Sequence, residues 1–262
     1  MLWAACAAAP LLAVWALAAA TPAEARRKIT APETPPSLAP ADLFGFPAKT
    51  YPPARNFAKW NDTMARYARE RRGERALCKR GDCALQRWRE FLATVKRAPP
   101  LVQLKAVNDY LNRLPYVTDA ENYGVEDHWA TPREFFARGG DCEDYAIAKY
   151  LSLRALGWPA ERLRIVVVHD RARDLVHAAL VAYHRGAGYL LDIEIPEITD
   201  QRRVGRYMPI FAIGESGWWS YNSAPADVAP VRAPVRAAVK AEAEPALDPA
   251  ERTEEIFAPG AH

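Results

Sequence analysis

Apolar residues in the first part of the chain recur at helical spacing. They form three stripes, each with one apolar residue every three or four positions: Phe57, Trp60, Met64 and Tyr67; Leu85, Trp88, Leu92 and Val95; Leu101, Leu104, Val107 and Leu111. This period sets each stripe on one face of an α-helix, and the ordinary role of such a face is core packing. The pattern therefore predicts three amphipathic helices.

Two short motifs mark further helix starts. In "TPRE" (131–134) and "DCED" (141–144) the first residue is a favoured N-cap, and the fourth is an acid that can close a capping box. The second motif opens a helix that runs from Cys142 to about Leu156 and ends at Gly157. The thiol of Cys142 is therefore predicted to lie in the first turn of a helix.

From residue 164 the apolar pattern changes to period two with β-branched runs. The segments "RIVVV" (164–168), "HAALVAY" (177–183) and "YLLDIEI" (189–195) predict strands, with "HRGAG" as the turn between the last two. The segment "PIFAI" (209–213) predicts a further strand. Helices followed by an antiparallel meander indicate an α+β fold.

The two ends of the chain differ from this body. Residues 2–20 are apolar, and "AEA" at 23–25 offers small residues for cleavage, which predicts a secretory signal peptide over 1–25. No Lys or Arg precedes the apolar run, so the alternative is an uncleaved membrane anchor with the body in the cytosol. Pro-rich residues 26–53 predict a linker, and Ala/Pro/Glu-rich residues 222–262 predict a disordered tail. The folded body is then 54–221.

Composition limits the classes of binding partner and the roles that the cysteines can have. The 262 residues are 50% apolar, enough for one sizeable core or two small ones, and the formal charge of +3 comes from scattered basic residues, so no nucleic acid is predicted as a partner. In an exported chain, "CKRGDC", with no His or third Cys nearby, favours a Cys78–Cys83 disulfide over a metal site. Cys142 is then an odd thiol, either buried and structural or reactive.

Three residues form a candidate catalytic set. Cys142 lies where the helix dipole favours a thiolate, and the following strands supply His177 and Asp192. The imidazole can take the thiol proton, while the carboxylate holds the ring in one tautomer. Taken singly, His177 and Asp192 are ordinary strand-end polar residues. A tight turn at 186–187 would also pair Asp192 with Val181, so bringing it to His177 needs an asymmetric turn or strong twist.

The segment "WATPREFFARGGDCEDYAIAKY", followed by "RIVVVHD", "HAALVAY", "YLLD" and "GWW", resembles the bacterial transglutaminase-like cysteine proteinases, which include the LapG-type periplasmic adhesin proteases. The resemblance covers about residues 55–220. It implies a papain-like, transglutaminase-core fold, with Cys142 as nucleophile, His177 as base and Asp192 as the acid that orients the base. It also implies a protein substrate such as a large surface adhesin, and restraint by an inner-membrane receptor. Many relatives have Asn after the Asp, where this chain has Ile193.

LapG-type members bind Ca²⁺ through acids that flank the nucleophile, and these correspond to Asp141, Glu143 and Asp144. Electrostatics supports a cation independently. A carboxylate about 6 Å from a thiolate opposes ionisation by roughly 2–3 kcal/mol at an effective dielectric of about 20. The N-terminus of a helix stabilises the thiolate by at most about 2 kcal/mol. The thiol would stay protonated unless a divalent cation reversed the local field. The alternative is that these acids only cap the helix and face solvent.

Acyl transfer also needs hydrogen-bond donors for the developing oxyanion. The backbone N–H of Cys142 is one candidate by position, and Trp129 or Asn122 is a candidate for a second, with packing or turn roles as the alternative. The expected function is a calcium-dependent cysteine endopeptidase of the periplasm. Its rivals are transfer of the acyl group to an amine on the same triad, and a non-catalytic calcium-dependent binding module.

Overall fold

The computed structural model describes residues 42–53, 57–79 and 83–221, with the backbone alone for 74–79 and 84. The helices of these residues are α1 (Ala58–Lys79), α2 (Ala84–Val95), α3 (Pro100–Leu111), α4 (Asp119–Tyr123), α5 (Pro132–Arg138) and α6 (Cys142–Leu156). The strands are β1 (Lys49–Tyr51), β2 (Leu163–Asp170), β3 (Leu175–His184), β4 (Ala187–Leu191), β5 (Thr199–Asp200), β6 (Tyr207–Gly214) and β7 (Gly217–Ser220). None of these helices is long and apolar enough to cross a membrane.

The strands form one antiparallel sheet. Among the described residues their order is β1-β7-β6-β2-β3-β4-β5, so β2 is central and pairs with β3 and β6. Helix α6 packs on β3 and β2, and α3 and α5 pack on α6. Helices layered against an antiparallel sheet confirm the predicted α+β fold.

The sheet is buried on both faces. Ile165 belongs to a large core shared with the helices, which includes Trp88 and Tyr150 and most of the three predicted apolar stripes. Val166 belongs to a second core, which includes Leu43. Burial on both faces explains why β2 is a continuous apolar run rather than an alternating one.

The predicted linker over 26–53 is wrong for the part that the structure describes. Leu43 is fully buried, and β1 pairs with β7, where Thr50 lies opposite Trp219. The ring of Tyr51 stacks on Trp218 with centroids 4.1 Å apart. A short edge strand carries too few apolar residues to stand out from a Pro-rich sequence, so the folded body includes residues 42–53. The predicted signal peptide and C-terminal tail lie outside the described residues.

The hairpin between β3 and β4 turns one residue earlier than the sequence predicts. Its central residues, 185 and 186, have φ values of 50° and 78°. Two positive φ values define a type I′ turn, whose twist matches an antiparallel pair of strands. The resulting register, continued one residue beyond β4, sets Asp192 opposite Ala179 rather than Val181. The turn therefore brings Asp192 two positions closer to His177.

Cys83, which precedes α2, is disulfide-bonded. The side chain of Cys78, its predicted partner, lies outside the described side chains. The pairing of these two residues therefore stays a prediction, while the oxidised state of Cys83 agrees with it.

Candidate active site

Cys142 opens α6 and is a free thiol. Its Sγ donates a hydrogen bond to Oε2 of Glu143 at 3.3 Å. The backbone N–H of Ala178 also hydrogen-bonds to the sulfur. Because Ala178 directly follows His177 on β3, the packing of α6 on β3 brings the helix N-terminus to the start of that strand.

His177 and Asp192 form a buried pair. Nε2 of His177 lies 2.8 Å from Oδ1 of Asp192, and the side chains are 3% and 0% exposed. Because a carboxylate only accepts hydrogen bonds, this contact leaves the proton on Nε2 and the lone pair on Nδ1. One ring nitrogen is thus held by the acid, and the other is free to act as a base.

The carboxylate of Asp192 accepts hydrogen bonds from three groups. In addition to His177, the backbone N–H of Glu194 donates to Oδ1 at 3.0 Å, and the hydroxyl of Tyr207 donates to Oδ2 at 2.6 Å. The amide of Asn112 donates to the backbone carbonyl of Asp192 at 2.8 Å. Burial raises the pKa of Asp192, but its hydrogen bonds and the charge of His177 outweigh that effect and hold the pKa below its ordinary value. Sequence reasoning misses Tyr207 and Asn112, because no motif marks them.

Three acids converge beside Cys142. Ligand oxygens of Asp119, Asp141 and Glu143 lie within 4.8 Å of one another. Asp119 is buried, and its Oδ1 and that of Asp141 have no hydrogen-bond partner. Sequence reasoning misses Asp119. The available signal is the capping box in "TDAE" (118–121), which fixes this residue in the first turn of α4.

Asp144, the third acid of the predicted metal set, lies outside this cluster. Its carboxylate is fully buried, and its two oxygens accept the backbone N–H groups of Ala130, at 2.7 Å, and Asp141, at 3.4 Å. A Cβ at Gly140 would clash with this carboxylate, which accounts for the glycine immediately before Asp141. Asp144 therefore closes the cap of α6 and ties the helix to the segment before α5.

The acids oppose ionisation of the thiol. Burial raises the pKa of Cys142 above its ordinary value, and the charge of Glu143 raises it further. Burial and the neighbouring Asp141 raise the pKa of Glu143 to about 9. Burial, with the charge of Asp141, raises the pKa of Asp144 to about 8. Burial and the neighbouring Glu143 therefore favour the protonated thiol, and the raised pKa values of Glu143 and Asp144 mean that the acids also oppose one another's ionisation.

The order of these residues along the chain agrees with one known family. The sequence model of "Bacterial transglutaminase-like cysteine proteinase BTLCP" matches residues 64–220. The chain belongs to this family. The proteinase is therefore a transglutaminase-like cysteine peptidase, and the predicted transglutaminase-like core is confirmed. Of the functions that the sequence leaves open, the family favours peptidase activity over amine transfer and over a non-catalytic module.

Solved structures of a Legionella protein are similar to the proteinase. Legionella pneumophila LapG is 30% identical over 52% of this chain and 77% of its own, with a TM-score of 0.48. Its EGTA-treated form is 30% identical over 53% and 76%, with a TM-score of 0.49. Its calcium-bound form is 27% identical over 60% and 88%, with a TM-score of 0.49. No curated protein sequence matches the proteinase.

The two side chains that the sequence suggests as oxyanion donors differ in their contacts in the proteinase. The side chain of Trp129 packs against the helix-side core, and its carbonyl accepts a hydrogen bond from Thr63 at 2.8 Å. Asn122 lies on α4, where its amide nitrogen is buried without a hydrogen-bond partner. Packing explains Trp129, and a donor role for either residue stays a prediction.

Proposed function

We propose that this cysteine peptidase is an exported, calcium-dependent endopeptidase with Cys142, His177 and Asp192 as its catalytic triad. One observation carries the proposal. His177, which forms a buried pair with Asp192, is followed on β3 by Ala178, whose backbone N–H hydrogen-bonds to the sulfur of Cys142. A nucleophile, a base and an acid that orients the base are the parts that acyl transfer through a thioester requires.

The geometry supports a two-step hydrolysis. Nδ1 of His177 takes the thiol proton, and Sγ of Cys142 forms a bond to the carbonyl carbon of the scissile peptide. The backbone N–H of Cys142, at the N-terminus of α6, donates to the oxygen that becomes negative. The imidazolium, stabilised by Asp192, then protonates the leaving amine as the C–N bond breaks. Water, deprotonated by the same nitrogen, attacks the thioester, releases the second product and restores the thiol.

The acidic cluster of Asp119, Asp141 and Glu143 fits a Ca²⁺ ion. Two of its oxygens, one each from Asp119 and Asp141, are buried without hydrogen-bond partners, and carboxylate oxygens are the ligands that Ca²⁺ prefers. We place Asp119 in this set instead of Asp144, because both oxygens of Asp144 already accept hydrogen bonds. A bound cation would supply positive charge beside Cys142, which favours the thiolate.

The sequence supports the remaining parts of the proposal. An apolar segment at 2–20 with small residues at 23–25 supports export to the periplasm. A surface adhesin as substrate and an inner-membrane receptor as regulator follow from the family resemblance. The calcium-bound structure belongs to the Legionella protein, and for this chain Ca²⁺ is proposed on the three acids.

A search for new protein N-termini, in cells with the wild-type protein and in cells with the Cys142→Ala variant, tests the proposal. We expect termini that appear only with the wild type, while the purified variant keeps the wild-type melting temperature. If the Cys142→Ala variant supports full biological function, the protein acts as a binding module and the proposal is wrong. Incubation with a peptide library and a labelled amine separates hydrolysis, which yields new termini, from transfer, which incorporates the label.

A further inference from the structure

Tyr207 begins β6 and is 1% exposed. Its hydroxyl lies 2.6 Å from Oδ2 of Asp192, the carboxylate oxygen that does not contact His177. The Tyr207 ring also lies 5.8 Å from the imidazole of His177, centroid to centroid. The edge-on ring of Phe44, 5.6 Å away, packs against Tyr207. Tyr207 thus contacts both buried members of the triad without being accessible to a substrate.

A second contact fixes the direction of the tyrosine proton. Nη2 of Arg206 lies 3.1 Å from the Tyr207 hydroxyl. A guanidinium only donates hydrogen bonds and an ionised carboxylate only accepts them. The hydroxyl must therefore accept from Arg206 and donate its single proton to Asp192. Arg206 is held in turn by an ion pair with Asp170, 3.4 Å away and fully buried.

The β2–β6 register maintains this chain of contacts. Asp170 and Tyr207 are cross-strand partners at one end of the two central strands. The polar chain Asp170–Arg206–Tyr207–Asp192 is therefore anchored in the sheet and ends on the acid that holds His177. A donor on one carboxylate oxygen limits rotation of the group, which keeps the other oxygen aligned with the imidazole.

We propose that Tyr207 is a positioning residue, whose hydroxyl holds Oδ2 of Asp192 so that Oδ1 stays aligned with Nε2 of His177 when the imidazole takes the Cys142 proton. The inference rests on the triad of the proposed function. It assigns to the chain a fourth residue of the proton-transfer system, which acts through Asp192 and touches no substrate.

The test uses Tyr207→Phe, which removes the hydroxyl and keeps the ring, in the full-length protein with CaCl₂ present. Iodoacetamide alkylation of Cys142 reports deprotonation of the thiol without a known substrate. Because a hydrogen bond to a charged group is stronger than one between neutral groups, we expect the alkylation rate to fall about tenfold or more. We also expect the low-field NMR signal of the proton on His177 Nε2, identified by its loss in His177→Gln, to shift or broaden.

Tyr183→Phe is the matched control. Tyr183 is 2% exposed, and its hydroxyl contacts Nη1 of Arg164 at 3.2 Å, away from the triad. We expect this variant to lose thermal stability while the alkylation rate and the NMR signal stay at wild-type values. If Tyr207→Phe behaves like Tyr183→Phe in all three measurements, Tyr207 is only a structural residue and the inference is overturned.

Arg206→Gln is the second variant, for the case in which Tyr207→Phe does not fold. The Arg206 side chain is 32% exposed and is ion-paired with the buried Asp170. Glutamine keeps an N–H donor for Asp170, while its amide oxygen offers the tyrosine proton an acceptor other than Asp192. We expect a smaller fall in alkylation rate, in the same direction; a rate within twofold of the wild type would overturn the inference. A functional Cys142→Ala protein would overturn the proposed protease instead, while the NMR signal would still report whether Tyr207 aligns the pair.

Discussion

Nε2 of His177 lies 2.8 Å from Oδ1 of Asp192, although the two residues are not cross-strand partners. Asp192 follows the last residue of β4, and the register sets it opposite Ala179, two positions beyond His177 on β3. The side chains therefore meet diagonally, which is within reach for long side chains on neighbouring strands. Asp192 lies just past β4, where its backbone is held by Asn112 and its carboxylate by three donors.

This arrangement predicts different results for two substitutions of Asp192. In Asp192→Asn the oxygen can still accept from His177, and the Tyr207 hydroxyl can rotate to accept from the new amide. We expect the fold to persist, and kcat to fall about tenfold to hundredfold because the charge that stabilises the imidazolium is lost. Asp192→Ala leaves three buried donors without an acceptor, so we expect a larger loss of kcat and a lower melting temperature. Both are measured on a peptide that carries an identified cleavage site.

Equal kcat values for the two variants of Asp192 would contradict this account. They would mean that the effect on kcat of losing the negative charge of Asp192 cannot be separated from the effect of losing its hydrogen bonds.

Removal of Ca²⁺ is expected to destabilise the protein through the acidic cluster. Ligand at about a hundred times its Kd stabilises a fold by about 2.7 kcal/mol, which corresponds to about 5–10 °C for a domain of this size. We expect EGTA to lower the melting temperature of the wild type by this amount. Asp119→Asn should abolish the response, because it removes one charge from the cluster.

Asp109→Asn is the control for the calcium response. Asp109 pairs with Lys105 on the exposed side of α3 and lies outside the acidic cluster. Its variant should keep the full EGTA response. A wild-type melting temperature that is insensitive to EGTA would exclude the calcium site.

Asp144 distinguishes helix capping from metal binding. Its two oxygens accept the N–H groups of Ala130 and Asp141. In Asp144→Asn the side-chain NH₂ group must face one of these buried N–H donors, which leaves that donor without an acceptor. We therefore expect a loss of about 1–3 kcal/mol in the free energy of unfolding. The EGTA response should persist. If Asp144→Asn abolishes the response and Asp119→Asn keeps it, the metal set that the sequence suggests is right.

The sequence predicts those parts of the structure that are encoded by patterns within a few neighbouring positions. The stripe from Trp60 to Tyr67, the capping motif at Thr131 and the period-two run of β3 each encode their element within a few positions, and the elements form as expected. The order Cys142, His177, Asp192 is likewise visible in the sequence, because each residue lies close to where such an element begins or ends.

The missed features depend on contacts between distant segments. Asp119 joins Asp141 only after the start of α4 meets the N-cap of α6, and Tyr207 reaches Asp192 only through the β2–β6 register. The short strand β1 is stabilised by pairing with β7, not by its own apolar content. No periodicity within a single segment carries this information.

Lys149 gives a prediction for stability against pH. It lies on α6, 1% exposed, with its Nζ 5.8 Å from the ring centroid of Tyr145. Burial lowers its pKa from 10.5 to about 7, although the charge of Asp192 acts in the opposite direction. Between these two values the unfolded chain holds a proton that the folded protein has released. Stability therefore rises with pH across this window, by about 1.4 kcal/mol per pH unit.

Lys149→Met removes this titration and keeps an unbranched side chain in the same space. We expect the difference in free energy of unfolding, wild type minus variant, to be constant below about pH 7 and to rise towards pH 10. Urea unfolding of both proteins at a series of pH values measures it, and taking the difference cancels the groups that both chains share. A difference that stays flat from about pH 7 to pH 10 would mean that the buried ammonium keeps its proton, with Asp192 as its counter-ion. Lys149 would then be the charged partner of Asp192 in the triad, and its burial would not lower the stability of the fold near neutral pH.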